Sequence, residues 1–391
     1  MSIPEILLAQ LANILVSHIS ETSTPGLSAA ILTSTRCYTL TAGQANLQPP
    51  QPIHPSHLFG VGSVTKIFTA TVILQLVEEG KLNLSDTVSQ RLAPETYWGI
   101  DDAADATVSQ LLRHEAGIDS WEDDPVWIAH GRGKGLDPSY VWGKTEPLRY
   151  LRRPKKTAPE RGKWYYSNTN YTLLGLLIEA ITANTAESEI RKRILEPLAL
   201  EDIYFEAFEA PRGHIPSRYH WVTDTFRAVA GLSVRLPLVR NDLLDVSTSN
   251  LSFEWIAGGM LGSATDLVRF GKALRDGRLP EPESLETMKQ WKDAGTTGCE
   301  MGHGIFRIKF AGPCGSEFCN GHFGDVLGFS GGLWWAEEGN VVVAVFSNVG
   351  TMHAGPVAGS VAHIIMSMGF LEVARELGDY DGSCDVVGDK A

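Results

Sequence analysis

The sequence lacks the features of several protein classes. No lysine or arginine precedes Arg36, so the N-terminus has no basic region of a secretory signal, and we expect a cytoplasmic protein. The formal net charge is -13, and the densest basic run, Arg152–Lys156, is short. Such a charge argues against a nucleic-acid or anionic-membrane partner. The clearest apolar strand-like run, Val341–Phe346, is too short to span a bilayer.

Cysteine is also scarce. The five cysteines are an odd number in a chain without an apparent leader, so we expect mostly reduced thiols. Cys314 and Cys319 are close enough in sequence to pair or to bind a metal, but no matching Cys/His set stands beside them. Gly143-Lys144-Thr145 lacks the upstream glycine of a phosphate-binding loop. The sequence therefore implies no metal and no nucleotide cofactor.

The remaining composition is that of an ordinary globular protein. The chain has 391 residues, of which 43% are hydrophobic and 20% charged, enough for a large core. It opens with a helix, two strands and a helix, and three strand-like runs and a last helix, Val357–Met368, lie near its end. We predict an α+β fold in which residues 1–85 and 252–391 form one antiparallel sheet with packed helices. Residues 86–251 are predicted to form an inserted, mainly helical domain, with the active site between the two.

One part of the middle region has little periodicity. Residues 121–142 contain Trp121, Trp127 and Trp142 together with several glycines. A long segment of this kind is either a functional lid or an irregular insertion anchored by its aromatic side chains. The sequence leaves both interpretations open.

The strongest chemical signal is Gly62-Ser63-Val64-Thr65-Lys66, the one Ser-x-x-Lys in the chain. An apolar helical run follows it, and residues three apart on a helix share a face, so Ser63 and Lys66 can meet at the helix N-terminus. The unpaired N–H groups there favour negative charge on a serine oxygen. A neutral lysine one turn away could take the serine proton. By itself the motif is weak, because serine often just caps a helix.

Two further candidates follow along the chain. Tyr166-Ser167-Asn168 precedes an apolar helix, and a tyrosine beside a Ser/Lys pair can relay a proton. Taken alone, such a tyrosine more often packs on a core. Residues 321–330, Gly-His-Phe-Gly-Asp-Val-Leu-Gly-Phe-Ser, are rich in glycine, which allows a backbone to approach a substrate closely. A strand-edge N–H there could complete an oxyanion hole with that of Ser63.

Together the three motifs resemble the penicillin-recognising serine enzymes, and in particular the family related to class C β-lactamases. That family orders Ser-x-x-Lys, Tyr-x-Asn and Lys- or His-x-Gly along the chain, and here these are Ser63/Lys66, Tyr166/Asn168 and His322/Gly324. The resemblance covers roughly residues 5–370. Other similar segments are Leu76–Asp86, Thr107–Gly117, Glu196–Leu198, Ala257–Gly259 and Ser263–Leu267.

The resemblance implies a two-step reaction through an acyl-enzyme. Ser63 would be the acylated nucleophile, Lys66 would share its proton network, and Tyr166 would be the general base and would donate to the leaving group. Asn168 would hold a substrate amide, and His322 would tune Tyr166.

The backbone N–H groups of Ser63 and Asp325, next to Gly324, would form the oxyanion hole. The Asp325 side chain would either attract a substrate ammonium or point away. No cofactor and no metal are implied, and the partner would be a small-molecule amide or ester.

The third motif departs from the pattern of carboxylate-binding members. Those usually carry Thr or Ser between the Lys or His and the Gly, where this chain has Phe323. A phenyl ring cannot donate a hydrogen bond to a carboxylate, and His322 is a less certain cation than lysine. The resemblance therefore favours an amidase, aminopeptidase or esterase, similar to D-amino-acid amidases, over a true β-lactamase.

Several rival interpretations stay open. Gly328-Phe329-Ser330-Gly331-Gly332 matches Gly-x-Ser-x-Gly, but a strand-like run rather than a helix follows it, so we treat Ser330 as a decoy. An acyltransferase or a peptide cyclase of biosynthesis on the same fold would use another acceptor in place of water. A non-catalytic scaffold protein is the other alternative, and the intact motif residues argue against it.

Overall fold

The computed structural model describes residues 2–152, 156–312, 315–337, 339–357, 359–361, 364–365 and 369–387. The strands, in chain order, are β1 (Gly26–Leu32), β2 (Cys37–Leu47), β3 (Pro50–Pro52), β4 (Phe59–Gly60), β5 (Ile203–Phe205), β6 (Tyr219–Trp221), β7 (Leu238–Arg240), β8 (Leu243–Asp245), β9 (Met260–Gly262), β10 (Lys292–Thr296), β11 (Cys299–Met301), β12 (Phe306–Gly312), β13 (Gly315–Val326), β14 (Phe329–Ala336), β15 (Val342–Ser347) and β16 (Val349–Gly350).

The helices alternate with these strands. In chain order they are α1 (Ile3–Thr22), α2 (Thr65–Glu78), α3 (Val88–Arg91), α4 (Pro94–Tyr97), α5 (Val108–Leu112), α6 (Pro125–Gly131), α7 (Asn168–Thr182), α8 (Ala186–Ile190), α9 (Asp224–Val229), α10 (Trp255–Gly258), α11 (Ala264–Arg275), α12 (Pro282–Met288) and α13 (Phe370–Val387). Shorter 3-10 turns cover Gly62–Val64, Trp121–Asp123 and Glu146–Leu151, and a π-helical turn covers Arg191–Leu195.

The two ends of the chain meet in one sheet. Its nine strands lie in the order β10-β11-β12-β13-β14-β15-β1-β2-β3, and the paired strands are antiparallel. The seam between the ends is the pairing of β1 with β15, from Leu27 opposite Ser347 to Leu32 opposite Val342. This arrangement confirms the prediction that N- and C-terminal segments share an antiparallel sheet.

Helices cover both faces of that sheet. On one face α1 packs with α13, and Leu7, Leu11 and Leu15 are buried there. Ser2 and Glu5 form a capping box that begins α1. On the other face lies the main core, which includes α2. By length and hydropathy alone, α1 could also cross a membrane. Buried core helices and signal sequences meet the same criterion.

The middle region is less purely helical than its sequence suggests. Residues 86–251 contain α3–α9 but also β5–β8, and β6–β8 form a small sheet with β16. Trp121 and Trp127 are fully buried and Trp142 nearly so, with 4.6 Å between the ring centroids of Trp121 and Trp127. The tryptophans are therefore anchors of the core, as in the second of the two interpretations.

Three details near the C-terminus concern residues singled out in the sequence. The glycine-rich residues 321–332 belong to β13, the β13–β14 turn and β14. Much of the helix predicted over Val357–Met368 falls outside the described residues. Cys319 is a buried free thiol, and Cys314 lies outside the described part of the chain.

Candidate active site

Ser63 lies in a tight turn at the start of a buried helix. The 3-10 turn Gly62–Val64 leads directly into α2, which is buried on nearly all sides. Gly62 has a φ of 55°, a left-handed conformation that favours glycine. The N–H of Val61 donates to the carbonyl of Met260 over 2.9 Å, which fixes the turn against β9. The rigid helix therefore presents a half-buried Ser63 at the edge of the core.

Lys66 is fully buried one turn after the serine. Its Nζ lies 2.9 Å from Ser63 Oγ, 2.6 Å from Asn168 Oδ1 and 2.8 Å from the carbonyl oxygen of Ala257. Burial lowers the pKa of Lys66 from its ordinary value to about 8, although the carboxylates of Glu122 and Glu254 act in the opposite direction. The lowered pKa increases the fraction of Lys66 that is the neutral amine, which is the form that can accept a proton.

Tyr166 contacts the same serine oxygen from the other side. Its hydroxyl donates to Ser63 Oγ over 2.7 Å. Burial raises the pKa of Tyr166 well above its usual range, so the resting side chain is a phenol and not a phenolate. The role of general base predicted for Tyr166 is thus better matched by Lys66, whereas the predicted donation to a leaving group fits the phenol.

Asn168 lies at the first position of α7, and its amide is engaged at both ends. Its oxygen accepts from Lys66 Nζ, and its Nδ2 donates to Glu254 Oε2 over 3.5 Å. The side chain is 2% exposed. In this arrangement Asn168 orients the lysine, and its predicted contact with a substrate amide stays a prediction.

His322 and Phe323 are successive residues of β13 and face opposite sides of the sheet. His322 is buried beside Tyr166, with 6.1 Å between ring centroids, and its Nδ1 donates to the carbonyl of Phe323. Burial lowers the pKa of His322 to about 3, so the ring is neutral. Phe323 packs on Trp334 with the core beneath α1, centroids 4.7 Å apart. Its ring therefore lies away from His322 and supplies no hydrogen-bond donor to the site.

Gly324 and Asp325 lie backbone to backbone with the nucleophile turn. A Cβ on Gly324 would come within 2.0 Å of the Val61 carbonyl and 3.2 Å of the Ser63 nitrogen. A Cβ on Gly62 would come within 2.7 Å of the Asp325 nitrogen. The structure thus brings the two predicted oxyanion-hole segments together, and glycine at both positions permits the approach.

The Asp325 side chain has its own partner. The N–H of Thr351 donates to Asp325 Oδ1 over 2.9 Å, and the Thr351 hydroxyl donates to Oδ2. The carboxylate is therefore held by Thr351, and its attraction of a substrate ammonium stays a prediction. Burial raises the pKa of Asp325 to about 7.

Residues outside the three motifs complete the site. The ring of His114 lies against that of Tyr166, with centroids 4.3 Å apart and the planes tilted by 34°, and His114 Nδ1 accepts from the backbone N–H of Ser167. Behind Asn168, the buried Arg132 joins Glu254 and Glu122 at 2.7 and 3.5 Å. His114 falls within a family-like segment that could have drawn attention, whereas nothing local in the sequence marks Arg132 or Glu254.

The decoy serine is accounted for by its surroundings. Ser330 is buried in β14, and its hydroxyl donates to the carbonyl of Val349 over 2.8 Å. A strand and not a helix carries it, so it lacks the setting of a nucleophile elbow. Among the described residues no group of three or more His, Cys, Asp or Glu side chains is arranged to hold a metal ion.

The sequence matches a known family and several characterised proteins. The family model described as Beta-lactamase matches residues 11–362. Among curated relatives, Esterase EstB from Burkholderia gladioli is 28% identical over 68% of this chain and 69% of the esterase. The matches to the next two curated relatives span 34% and 63% of their lengths.

Solved structures resemble the whole chain. The D-stereospecific amidohydrolase from Streptomyces sp. is 28% identical, with a TM-score of 0.74, over 88% of this chain and 94% of that one. The D-amino acid amidase from Ochrobactrum anthropi SV3 has a TM-score of 0.78 over 96% of this chain and 99% of that one, at 23% identity. These similarities confirm the predicted α+β fold of the β-lactamase/transpeptidase type.

Proposed function

The chain belongs to the beta-lactamase family, and from that premise we propose that it is a serine hydrolase that cleaves a small amide or ester through an acyl-enzyme on Ser63. Similar proteins include an esterase and an amidohydrolase, which supports either an ester or an amide bond as the one cleaved. The proposal rests above all on one observation, the pair of hydrogen bonds that Lys66 and Tyr166 make to Ser63 Oγ.

The hydrogen bonds of Lys66 support its role as the base. Two of its three partners, Asn168 Oδ1 and the Ala257 carbonyl oxygen, can only accept. A neutral amine has two N–H groups and one lone pair. If the two N–H groups serve the two acceptors, the lone pair is left to face the Ser63 hydroxyl, the orientation needed to remove its proton.

Acylation then follows with each proton accounted for. Lys66 takes the Ser63 proton as Oγ bonds to the substrate carbonyl carbon, and the carbonyl oxygen becomes an oxyanion beside the N–H groups of Ser63 and Asp325. As the oxyanion collapses, the bond to the leaving group breaks and Tyr166 supplies its proton. Lys66 returns a proton to Tyr166, and a water repeats the sequence to release the acid.

The surroundings of the serine favour an uncharged substrate. His322 is neutral, so the third motif provides no positive charge for a substrate carboxylate. Phe306 adds an apolar wall, because its ring lies 4.8 Å from that of His322 and stacks 6.5 Å from that of Tyr166. We therefore propose that apolar amides and esters are turned over in preference to penicillins and peptidoglycan peptides.

The test is a comparison of wild type with Ser63→Ala on one panel of substrates. The panel holds short-chain nitrophenyl esters, D- and L-amino-acid amides and a chromogenic cephalosporin. We expect turnover of an ester or amide by wild type and its loss in Ser63→Ala. Equal activity of both proteins would refute the proposal, and an acyl product that appears only when an amine or alcohol is added would identify a transferase instead.

A further inference from the structure

Glu254 is a buried carboxylate with no place in the three sequence motifs. It is 3% exposed and immediately precedes α10. Its Oε1 accepts from Arg132 over 2.7 Å, and its Oε2 accepts from Asn168 Nδ2 over 3.5 Å. Gly258, one turn later, makes room for this carboxylate, since a Cβ there would come within 3.0 Å of Oε2.

The carboxylate decides which way the Asn168 amide faces. An ionised glutamate can only accept hydrogen bonds, so the NH₂ group of Asn168 must turn towards Glu254. The amide oxygen of Asn168 is then the atom that meets Lys66, at 2.6 Å. With the opposite amide orientation, an NH₂ group would face Lys66 and would require the lysine lone pair.

We propose that Glu254 is a positioning residue for acylation: through Asn168 it directs the lone pair of Lys66 towards the Ser63 hydroxyl. This inference rests on the proposed function, because it assigns how that site is prepared. The segment that carries Glu254 also supplies the second acceptor, the carbonyl of Ala257, 2.8 Å from Lys66 Nζ. Both acceptors of the lysine are thus set by residues 254–257.

Arg132 helps to keep Glu254 a hydrogen-bond acceptor. It is completely buried, and a guanidinium can only donate. Burial raises the pKa of Glu254, and the contact with Arg132 and the charge of Lys66 act in the opposite direction. Arg132 also lies 3.5 Å from Glu122, which is buried as well. Arg132 and Asn168 therefore both donate to Glu254, and Lys66 donates to the Asn168 oxygen.

Other titratable groups also face Lys66. Its Nζ lies 4.9 Å from the ring centroid of Tyr166 and 5.3 Å from that of Tyr171. The buried His114 and His322 have pKa values lowered by burial and by the charge of Lys66, so both rings are neutral. Burial raises the pKa of Glu122 to about 8, so this group titrates in the same range as the lysine. A pH profile alone cannot isolate Glu254, and the test uses paired substitutions.

The decisive variant is Glu254→Gln, which keeps the shape of the side chain. Arg132 would hold the oxygen of the new amide, so its NH₂ group would face Asn168 and reverse the Asn168 amide. An N–H of Asn168 would then face Lys66 and compete for its lone pair. We expect the rate of Ser63 phosphonylation by a fluorophosphonate, followed by mass spectrometry, to fall about 100-fold at a matched thermal midpoint.

The double variant Asn168→Asp/Glu254→Gln again presents an acceptor oxygen to Lys66, with the donor and acceptor exchanged between positions 168 and 254. The glutamine introduced at position 254 would donate to one oxygen of the new aspartate, and Lys66 would donate to the other. We expect the double variant to label faster than either single variant above about pH 9, because the adjacent carboxylate raises the pKa of Lys66. If the substitutions acted only by disturbing the structure, the fold-losses in labelling rate of the two single variants would multiply in the double variant.

Glu206→Gln is the matched control, because it removes a carboxylate from another buried arginine, Arg218. Its labelling rate should equal that of wild type. The inference would be overturned if Glu254→Gln were labelled at the wild-type rate. It would also be overturned if the labelling rate of the double variant fell by the product of the two single-variant losses. If Glu254→Gln does not fold, a double variant that labels no faster than Asn168→Asp would overturn it. Absence of Ser63 labelling in wild type would instead refute the proposed function.

Discussion

The hydroxyl of Tyr166 donates to Ser63 Oγ over 2.7 Å while its ring lies 4.3 Å, centroid to centroid, from the buried ring of His114. Burial raises the pKa of this phenol well above its usual range. Because the phenol is protonated at rest, it has a proton available for a basic leaving group. In the proposed mechanism the two side chains that contact the nucleophile therefore have different proton-transfer roles.

Tyr166→Phe should therefore distinguish substrates by their leaving groups. An amine must be protonated to leave, whereas nitrophenolate leaves without a proton. We expect kcat/KM for an amide to fall by about 100- to 10000-fold, and that for a nitrophenyl ester to fall much less. Equal losses for both substrates in steady-state assays would mean that Tyr166 acts on Ser63 as a base.

The pH dependence should report Lys66. Its pKa is lowered to about 8, and only the neutral amine can accept the Ser63 proton. The value of kcat/KM for a nitrophenyl ester should therefore rise with pH and level off above about pH 8. Lys66→Met should remove this dependence together with most of the activity. A wild-type profile that falls over the same range would contradict the assignment of Lys66 as base.

Gly324→Ala should separate β13 from the nucleophile turn. The added Cβ would lie 2.0 Å from the Val61 carbonyl, which is backbone and cannot give way alone. We expect a loss of about 1–3 kcal/mol in the free energy of unfolding and at least about 100-fold in kcat. Gly143→Ala is the control, because its Cβ would meet only the Glu146 side chain at 3.4 Å. Urea unfolding and ester assays of both variants make the comparison.

Asp325→Asn should change how stability depends on pH. The pKa of Asp325 is raised to about 7, so between about pH 4 and that value the folded protein holds a proton that the unfolded chain has lost. Wild type therefore loses stability as pH rises through this window, by at most about 1.4 kcal/mol per pH unit. The asparagine variant lacks this loss.

Urea unfolding of both proteins across that window measures the difference. The free energy of unfolding of Asp325→Asn relative to wild type should increase with pH and then stay constant above about pH 7. Asp101→Asn, at an exposed position, serves as the control. A difference that does not vary with pH would show that the Asp325 carboxylate is ionised throughout.

The spacing of apolar residues predicted the helix that carries the first motif. The apolar run after Ser63 predicted the helix that the structure has over Thr65–Glu78, because a helix three to four turns long leaves a clear pattern in the sequence. The glycine content of residues 321–332 indicates a close backbone approach, but it does not show that these residues pair as β13 and β14. Glycine there serves the close contact of β13 with the Ser63 turn, and that contact cannot be recognised from one strand alone.

The sequence by itself determined the family, the order of the motifs and the identity of Ser63, Lys66 and Tyr166, because these depend on residue type and chain order. Only the tertiary structure shows which groups contact the Ser63 oxygen and where the carboxylates point. A pKa depends on burial and on neighbours distant in sequence, as with Lys66 and the carboxylates of Glu122 and Glu254. The orientation of Asn168 by Glu254, 86 residues away, exists for the same reason only once the chain has folded.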